Sequence, residues 1–177
     1  MKEIYIFDID GCVTPPIFSN FVKKNGSRKK LVEDVEKNGY KIALFPEFIY
    51  FYEKFCTNAD MVIFLTGRKE SEFGKLTETQ LNSLNMIKRF EVIYYPEEKQ
   101  NIAKEYFDWK VERIYEILNE TINHDHAGRD FKTNINIKLY DDLVDYFPDI
   151  EKIAKELELK ILLFKIEGNE SWNSFLL

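Results

Sequence analysis

Short apolar runs alternate along this chain with longer stretches in which apolar residues recur every third or fourth position. Five runs read as buried strands, at residues 4–7, 61–65, 91–95, 135–140 and 160–166. Runs this short, rich in Ile, Val and aromatics, suit strands rather than helices. Helical patterns fall between them. Pro46 opens one, PEFIYFYEKFC, with Phe48, Ile49, Tyr52 and Phe55 predicted on one face. A second runs over 70–85 with Phe73, Leu76, Leu81 and Leu84 as its apolar positions, and Gly74 weakens it. A third spans about 101–119 and is expected to break near Asp108. Its second half spaces Val111, Ile114, Tyr115 and Leu118 helically. A fourth covers 147–157. Strands alternating with helices predict a mostly parallel five-stranded sheet covered on both faces, an α/β protein with three α/β/α layers in the Rossmann-like manner.

Two stretches break the rhythm. Residues 15–45 begin with Pro15-Pro16 and hold Phe18 and Phe21, then Lys23, Lys24, Arg28, Lys29 and Lys30. A short helical pattern over 29–37 ends at Asn38-Gly39. This segment is too short for a domain and reads as a flap inserted into one domain spanning 1–177. Residues 121–134 are polar and read as a loop containing His124, Asp125 and His126. With only two histidines in the chain, a solvated loop is a better reading there than zinc. The tail over 167–177 carries Trp172 and Phe175, and is expected to pack on the body or on a partner.

Composition narrows the class. The 177 residues are 45% hydrophobic and 15% aromatic, as a packed globule requires. A net charge of −6 gives no general attraction for nucleic acid or anionic membrane. Only the local patch from Lys23 to Lys30 could hold a phosphate backbone, with Phe18 and Phe21 able to stack bases. Cys12 and Cys56 lack metal-ligand spacing and read as reduced thiols, and no His lies near Cys12 in sequence to activate it. No run approaches 18 consecutive apolar residues, and MKEIYIFDID is no signal peptide. The expectation is a soluble, cytoplasmic protein without a membrane partner.

Candidate chemistry gathers at the strand ends. The first strand stops at Asp8-Ile9-Asp10-Gly11, with Thr14 beyond. Alternation along a strand would put Asp8 and Asp10 on one face. Two carboxylates so close need a cation or a shared proton, and a hard divalent ion such as Mg²⁺ suits them. An Asp-Gly turn is the plain alternative. An EF-hand is excluded, because its twelfth loop position, counted from Asp8, is Ser19 rather than Glu. The second strand ends in Thr66-Gly67-Arg68, and the fourth in Asp141-Asp142 with Asp145 beyond. In open parallel sheets ligands bind past the carboxyl ends of strands, so these endings should converge.

In this order the endings resemble the haloacid dehalogenase (HAD) superfamily of phosphohydrolases, in a form with a minimal cap. DIDGCVT at 8–14 matches its Asp-x-Asp-Gly-x-x-Thr motif, MVIFLT at 61–66 its second motif, and KLYDDLVD at 138–145 its acidic fourth. FDWK, TGR and YDD also resemble two subgroups, the HAD domain similar to the Swiss Army Knife RNA-repair-like proteins and the polynucleotide 3′-phosphatases. Leu143 departs from the first subgroup, where a basic residue usually accompanies the paired acids. The resemblance implies Asp8 as nucleophile, Asp10 as acid and base, and Lys110 as the site lysine, with Lys99 and Lys104 as rivals. It implies Mg²⁺ held by Asp8, the backbone carbonyl of Asp10, Asp141 and either Asp142 or Asp145. Thr66 and Gly67 would donate to phosphate, and Arg68 would contact substrate or a nearby acid. Thr14 would shape the turn. The small insertions leave the site open, which suits a bulky phosphorylated substrate such as a nucleic acid end. A catalytically silent binding module, a phosphotransferase and a small-metabolite phosphatase are the alternatives.

Overall fold

The computed structural model describes residues 2–15, 44–84, 90–99, 103–124 and 135–176. The basic cluster from Lys23 to Lys30, Phe18, Phe21, the helical pattern over 29–37, Asp125 and His126 lie outside them. The five expected strands form: β1 (Lys2–Phe7), β2 (Met61–Thr66), β3 (Glu91–Tyr94), β4 (Ile135–Asp141) and β5 (Ile161–Lys165). All pair in parallel, in the order β3-β2-β1-β4-β5. The helices are α1 (Pro46–Phe51), α2 (Glu70–Leu81), α3 (Ala103–His124), α4 (Phe147–Glu156) and α5 (Asn169–Ser174). A three-layer, Rossmann-like α/β/α sheet protein results. From β1 the chain winds outward to β3, then returns to place β4 on the other flank of β1. That reversal is a topological switch point, where open α/β sheets form their crevice.

Strand alternation divides the core by chemistry. Ile4, Ile6, Ile63, Leu65, Ile137 and Leu139 point to one face, where Trp109, Ile114 and Leu118 of α3 and Ile150 of α4 cover them. Tyr5, Phe7, Phe64 and Tyr140 point to the other, beneath Phe48 and Phe51 of α1 and Trp172 of α5. The aromatic face is a ring stack: Phe7 lies 5.0 Å from Tyr140, and Phe48 5.0 Å from Trp172. The tail therefore packs on the body, with Trp172 fully buried.

Two helices differ from expectation. After α1 the backbone widens into a π-helical turn, Tyr52–Cys56. The extra residue in that turn rotates later side chains, so Phe51, Tyr52 and Cys56 are buried and Phe55 is exposed. Second, α3 runs unbroken past Asp108 and on to His124, so residues 121–124 of the expected loop are helical. Its buried stripe passes through Trp109, Lys110, Ile114, Ile117, Leu118 and Thr121. A lysine inside that stripe makes an intact helix look interrupted in sequence. Tyr115, expected on the apolar face, is exposed. No helix among the described residues is long and apolar enough to cross a membrane.

Candidate functional site

β1 and β4 are adjacent, with Phe7 opposite Tyr140, so their next residues, Asp8 and Asp141, emerge side by side at the carboxyl edge. The Asp8 N–H donates to the Tyr140 carbonyl at 2.9 Å and continues the ladder. Both carboxylates are buried. Lys110, fully buried, reaches them from the second turn of α3. Its ammonium donates to Asp8 Oδ1 at 2.8 Å and to Asp141 Oδ2. Sequence places Lys110 at a helix start; the structure places it inside the helix, one turn after Tyr106. The Tyr106 hydroxyl donates to Asp8 Oδ1 at 3.2 Å, and the Tyr146 hydroxyl to Asp141 Oδ2 at 2.5 Å. The two rings flank the ammonium at 4.8 and 5.5 Å. Such cation–π contacts favour the charged form where water is excluded.

Asp142 completes the cluster. One oxygen each from Asp8, Asp141 and Asp142 lies within 4.8 Å of the other two. Among the described residues, three carboxylates face a single buried lysine, an excess of negative charge. Burial pushes the Asp8 carboxyl well up, with Asp141 and Asp142 adding to the rise against the pull of Lys110. Burial, then Asp141, pushes Asp142 up to about 6. Burial disfavours the Lys110 ammonium, but Asp141 and Asp8 more than offset it and raise its pKa. The Asp142 Oδ1 atom is buried and has no hydrogen-bond partner among the described residues. A buried carboxylate oxygen without a donor costs free energy unless a ligand meets it.

The turn after β1 is built to hold this arrangement. Gly11 adopts φ +90°, and a Cβ there would collide with the Asp142 carboxylate. Thr14 shapes the turn as expected, its hydroxyl donating to the Ile9 carbonyl at 3.1 Å. Trp172 Nε1 donates to the Cys12 carbonyl at 2.9 Å, so the tail helix pins the same loop. Cys12 is buried, and its thiol is pushed well up by burial.

Asp10 does not join Asp8. The strand ends at Phe7 and the chain turns at Ile9, so the alternation that would align the two acids no longer applies. The Asp10 side chain goes to Arg68, whose Nε and Nη2 donate to its two oxygens at 2.9 and 2.8 Å. Of the two partners expected for Arg68, it is thus the acid that the structure supplies. Thr66, fully buried, accepts the Arg68 N–H at 3.2 Å. Gly67 sits against Tyr106, where a Cβ would come within 2.9 Å of the ring. Lys104 is exposed, and Lys99 pairs loosely with Glu112 at 3.9 Å, so neither approaches the carboxylates. Asp145 is exposed and outside the cluster, which leaves Asp142 beside Asp141. Tyr106, Tyr146, Thr77 and Gln80 escaped sequence reasoning. The spacing of Tyr106 four residues before Lys110 was the one available signal, since such positions share a helix face.

The donor set fits a hard divalent cation. It is all oxygen, carries surplus negative charge and includes an unpartnered buried oxygen. Oxygens on one Mg²⁺ stand at most about 4 Å apart, so small side-chain adjustments would close the set.

No family model matches the chain, and no curated protein matches it. Among solved structures, a Vibrio parahaemolyticus protein of unknown function is similar over 98% of this chain and 88% of its own length. The two share 11% identity, with a TM-score of 0.45.

Proposed function

We propose that this protein is a Mg²⁺-dependent phosphohydrolase of the HAD type, with Asp8 as its nucleophile. The observation that carries the reading is the three-carboxylate cluster around Lys110 at the switch point of the sheet. Asp8, Asp141 and Asp142, with the Asp10 backbone carbonyl, would hold the metal, and a bound Mg²⁺ would neutralise charge between Asp8 and a phosphate. An Asp8 oxygen attacks phosphorus, and the bond from phosphorus to the leaving oxygen breaks. Asp10 gives its proton to that oxygen, releasing the alcohol. Asp10 then takes a proton from water, whose oxygen attacks the aspartyl phosphate and frees both phosphate and Asp8. Lys110 keeps a fixed positive charge on Asp8. The Thr66 hydroxyl and Gly67 N–H are the proposed donors to the equatorial phosphate oxygens.

The substrate we favour is a bulky phosphomonoester such as a nucleic acid end. Support comes from the short stretches available for a cap, 15–45 after β1 and 95–102 after β3. The resemblance to polynucleotide 3′-phosphatases points the same way. A second reading, a binding module that holds metal and phosphate without turnover, draws on Asp10, whose oxygens both rest on Arg68. Phosphate release from p-nitrophenyl phosphate and from 3′- and 5′-phosphorylated oligonucleotides, nucleotides, sugar phosphates and phosphopeptides separates the two. We expect Mg²⁺-dependent release that Asp8→Asn removes. Release surviving that change sinks the mechanism, and Mg²⁺ binding with no turnover on any substrate favours the binding module.

A further inference from the structure

We infer that Arg68 is a positioning residue for Asp10, and that Thr77 and Gln80 of α2 hold Arg68 to that task. The inference rests on the phosphohydrolase reading. Arg68 is nearly fully buried, and its guanidinium is shared between two sides. Nε and Nη2 grip Asp10 as a bidentate fork, while Nη1 donates to Thr77 Oγ1 at 2.9 Å and to Gln80 Oε1 at 2.6 Å. Neither Thr77 nor Gln80 suits an apolar interior, yet both are buried on the same helix as Phe73 and Leu81. Buried polar side chains are costly unless bonded, and these two bond the guanidinium.

The chain Gln80–Arg68–Asp10 fixes the plane of the Asp10 carboxyl group. To rotate, Asp10 must break two charge-assisted bonds, which are stronger than neutral ones. A carboxylate offers about four lone-pair positions, and Arg68 occupies two. The remaining pair is left for a leaving oxygen or a water, on a side chain that is 23% exposed. Four of the five Arg68 N–H groups serve these partners. Its value to the reaction is therefore orientation, and it belongs to the proton-transfer half of the chemistry.

That assignment predicts a dependence on the leaving group. p-Nitrophenolate leaves without help from a proton, whereas an alkoxide does not. Arg68→Lys keeps the charge but loses the fork, and Gln80→Leu and Thr77→Val leave Asp10 and Arg68 in place while loosening the anchor. With glycerol 2-phosphate, kcat should fall about 10- to 100-fold, the usual worth of proton transfer, with KM changed less than about twofold. With p-nitrophenyl phosphate the single-turnover rate of nitrophenolate release, which precedes the Asp10-assisted hydrolysis of the aspartyl phosphate, should fall less than about threefold. Equal losses on both substrates, or a loss carried by KM, overturn the positioning role while leaving the phosphohydrolase reading standing. A wild-type protein inactive on both overturns both. If Arg68→Lys does not fold, judged by thermal melting, Gln80→Leu and Thr77→Val decide the question alone.

Discussion

Two charged networks sit a few residues apart at the carboxyl edge of this sheet, and they are built on opposite principles. Around Arg68 the charges pair: its guanidinium donates to one carboxylate and also to a hydroxyl and an amide oxygen. Around Lys110 they do not. One ammonium and two phenols bond Asp8 and Asp141, and an oxygen of the adjacent Asp142 stays buried without a donor among the described residues. A buried polar network whose charges are paired and bonded rigidifies its surroundings. One left short of positive charge stores an unfavourable energy that a cation would relieve. The first arrangement suits orientation and the second suits a ligand.

Activity gives the sharpest test of that contrast. Asp8→Asn is expected to lower phosphate release at least about 10⁴-fold, as loss of a nucleophile does, with the fold retained by circular dichroism. Next in size is Lys110→Met. It strips the buried Lys110 ammonium from Asp8 and Asp141, and removing one partner of a buried pair typically costs about 3–5 kcal/mol. Urea unfolding without metal should show a loss of that order, and an unchanged midpoint would mean the carboxylates are not charged as described.

Asp142→Asn should act in opposite directions with and without metal. Removing the surplus charge should stabilise the metal-free protein at pH 7.5 by about 1–2 kcal/mol, the upward shift discounted for partial exposure. The rise in melting temperature with Mg²⁺ should shrink at the same time. A variant that loses stability without metal contradicts the idea of a charge-crowded site. The same logic sets a pH dependence. Asp142 titrates near 6 in the folded protein, above its ordinary range. Its proton is therefore held more tightly folded than unfolded. Its contribution is complete below about pH 4 and is lost as pH rises through about 6. Mg²⁺ binds the ionised form, so its stabilisation in thermal melts should be larger at pH 7.5 than at pH 5.5. The reverse order would exclude Asp142 as a ligand.

The smallest effect belongs to the matched network. Gln80→Ala leaves Arg68 with Thr77 and Asp10, and should cost about 1–2 kcal/mol, the range for a buried donor losing a partner. The Mg²⁺-induced rise in melting temperature should not move. If it did, the two networks would be coupled and the contrast between them would fail.

The outline of the site was legible because its parts end strands, and strands announce themselves locally. The apolar runs before Asp8 and Thr66 are continuous, as strands buried on both faces must be, while Asn136 and Lys138 alternate with apolar residues before Asp141. Lys110 was harder, since a buried lysine in a helix stripe looks like a break in that stripe. Its place before the amphipathic half of the helical pattern favours it over Lys99 and Lys104, and the structure puts it between Asp8 and Asp141. Phe55 was misplaced because a π-helical turn leaves no periodic trace in PEFIYFYEKFC. Thr77 and Gln80 were passed over because polar residues on an amphipathic helix ordinarily face water.

What the sequence by itself determined is the order of elements and which acids lie at strand ends, since both follow from periodicities of two and 3.6 residues. Tertiary structure decided which charges meet. Whether Asp10 faces Asp8 or Arg68 depends on a turn at Ile9. Whether Asp142 or Asp145 completes the cluster depends on the path out of β4. Whether Lys110 is a surface or a buried residue depends on how α3 lies against the sheet. Electrostatic energy falls with separation in space, and separation along the chain does not fix that distance.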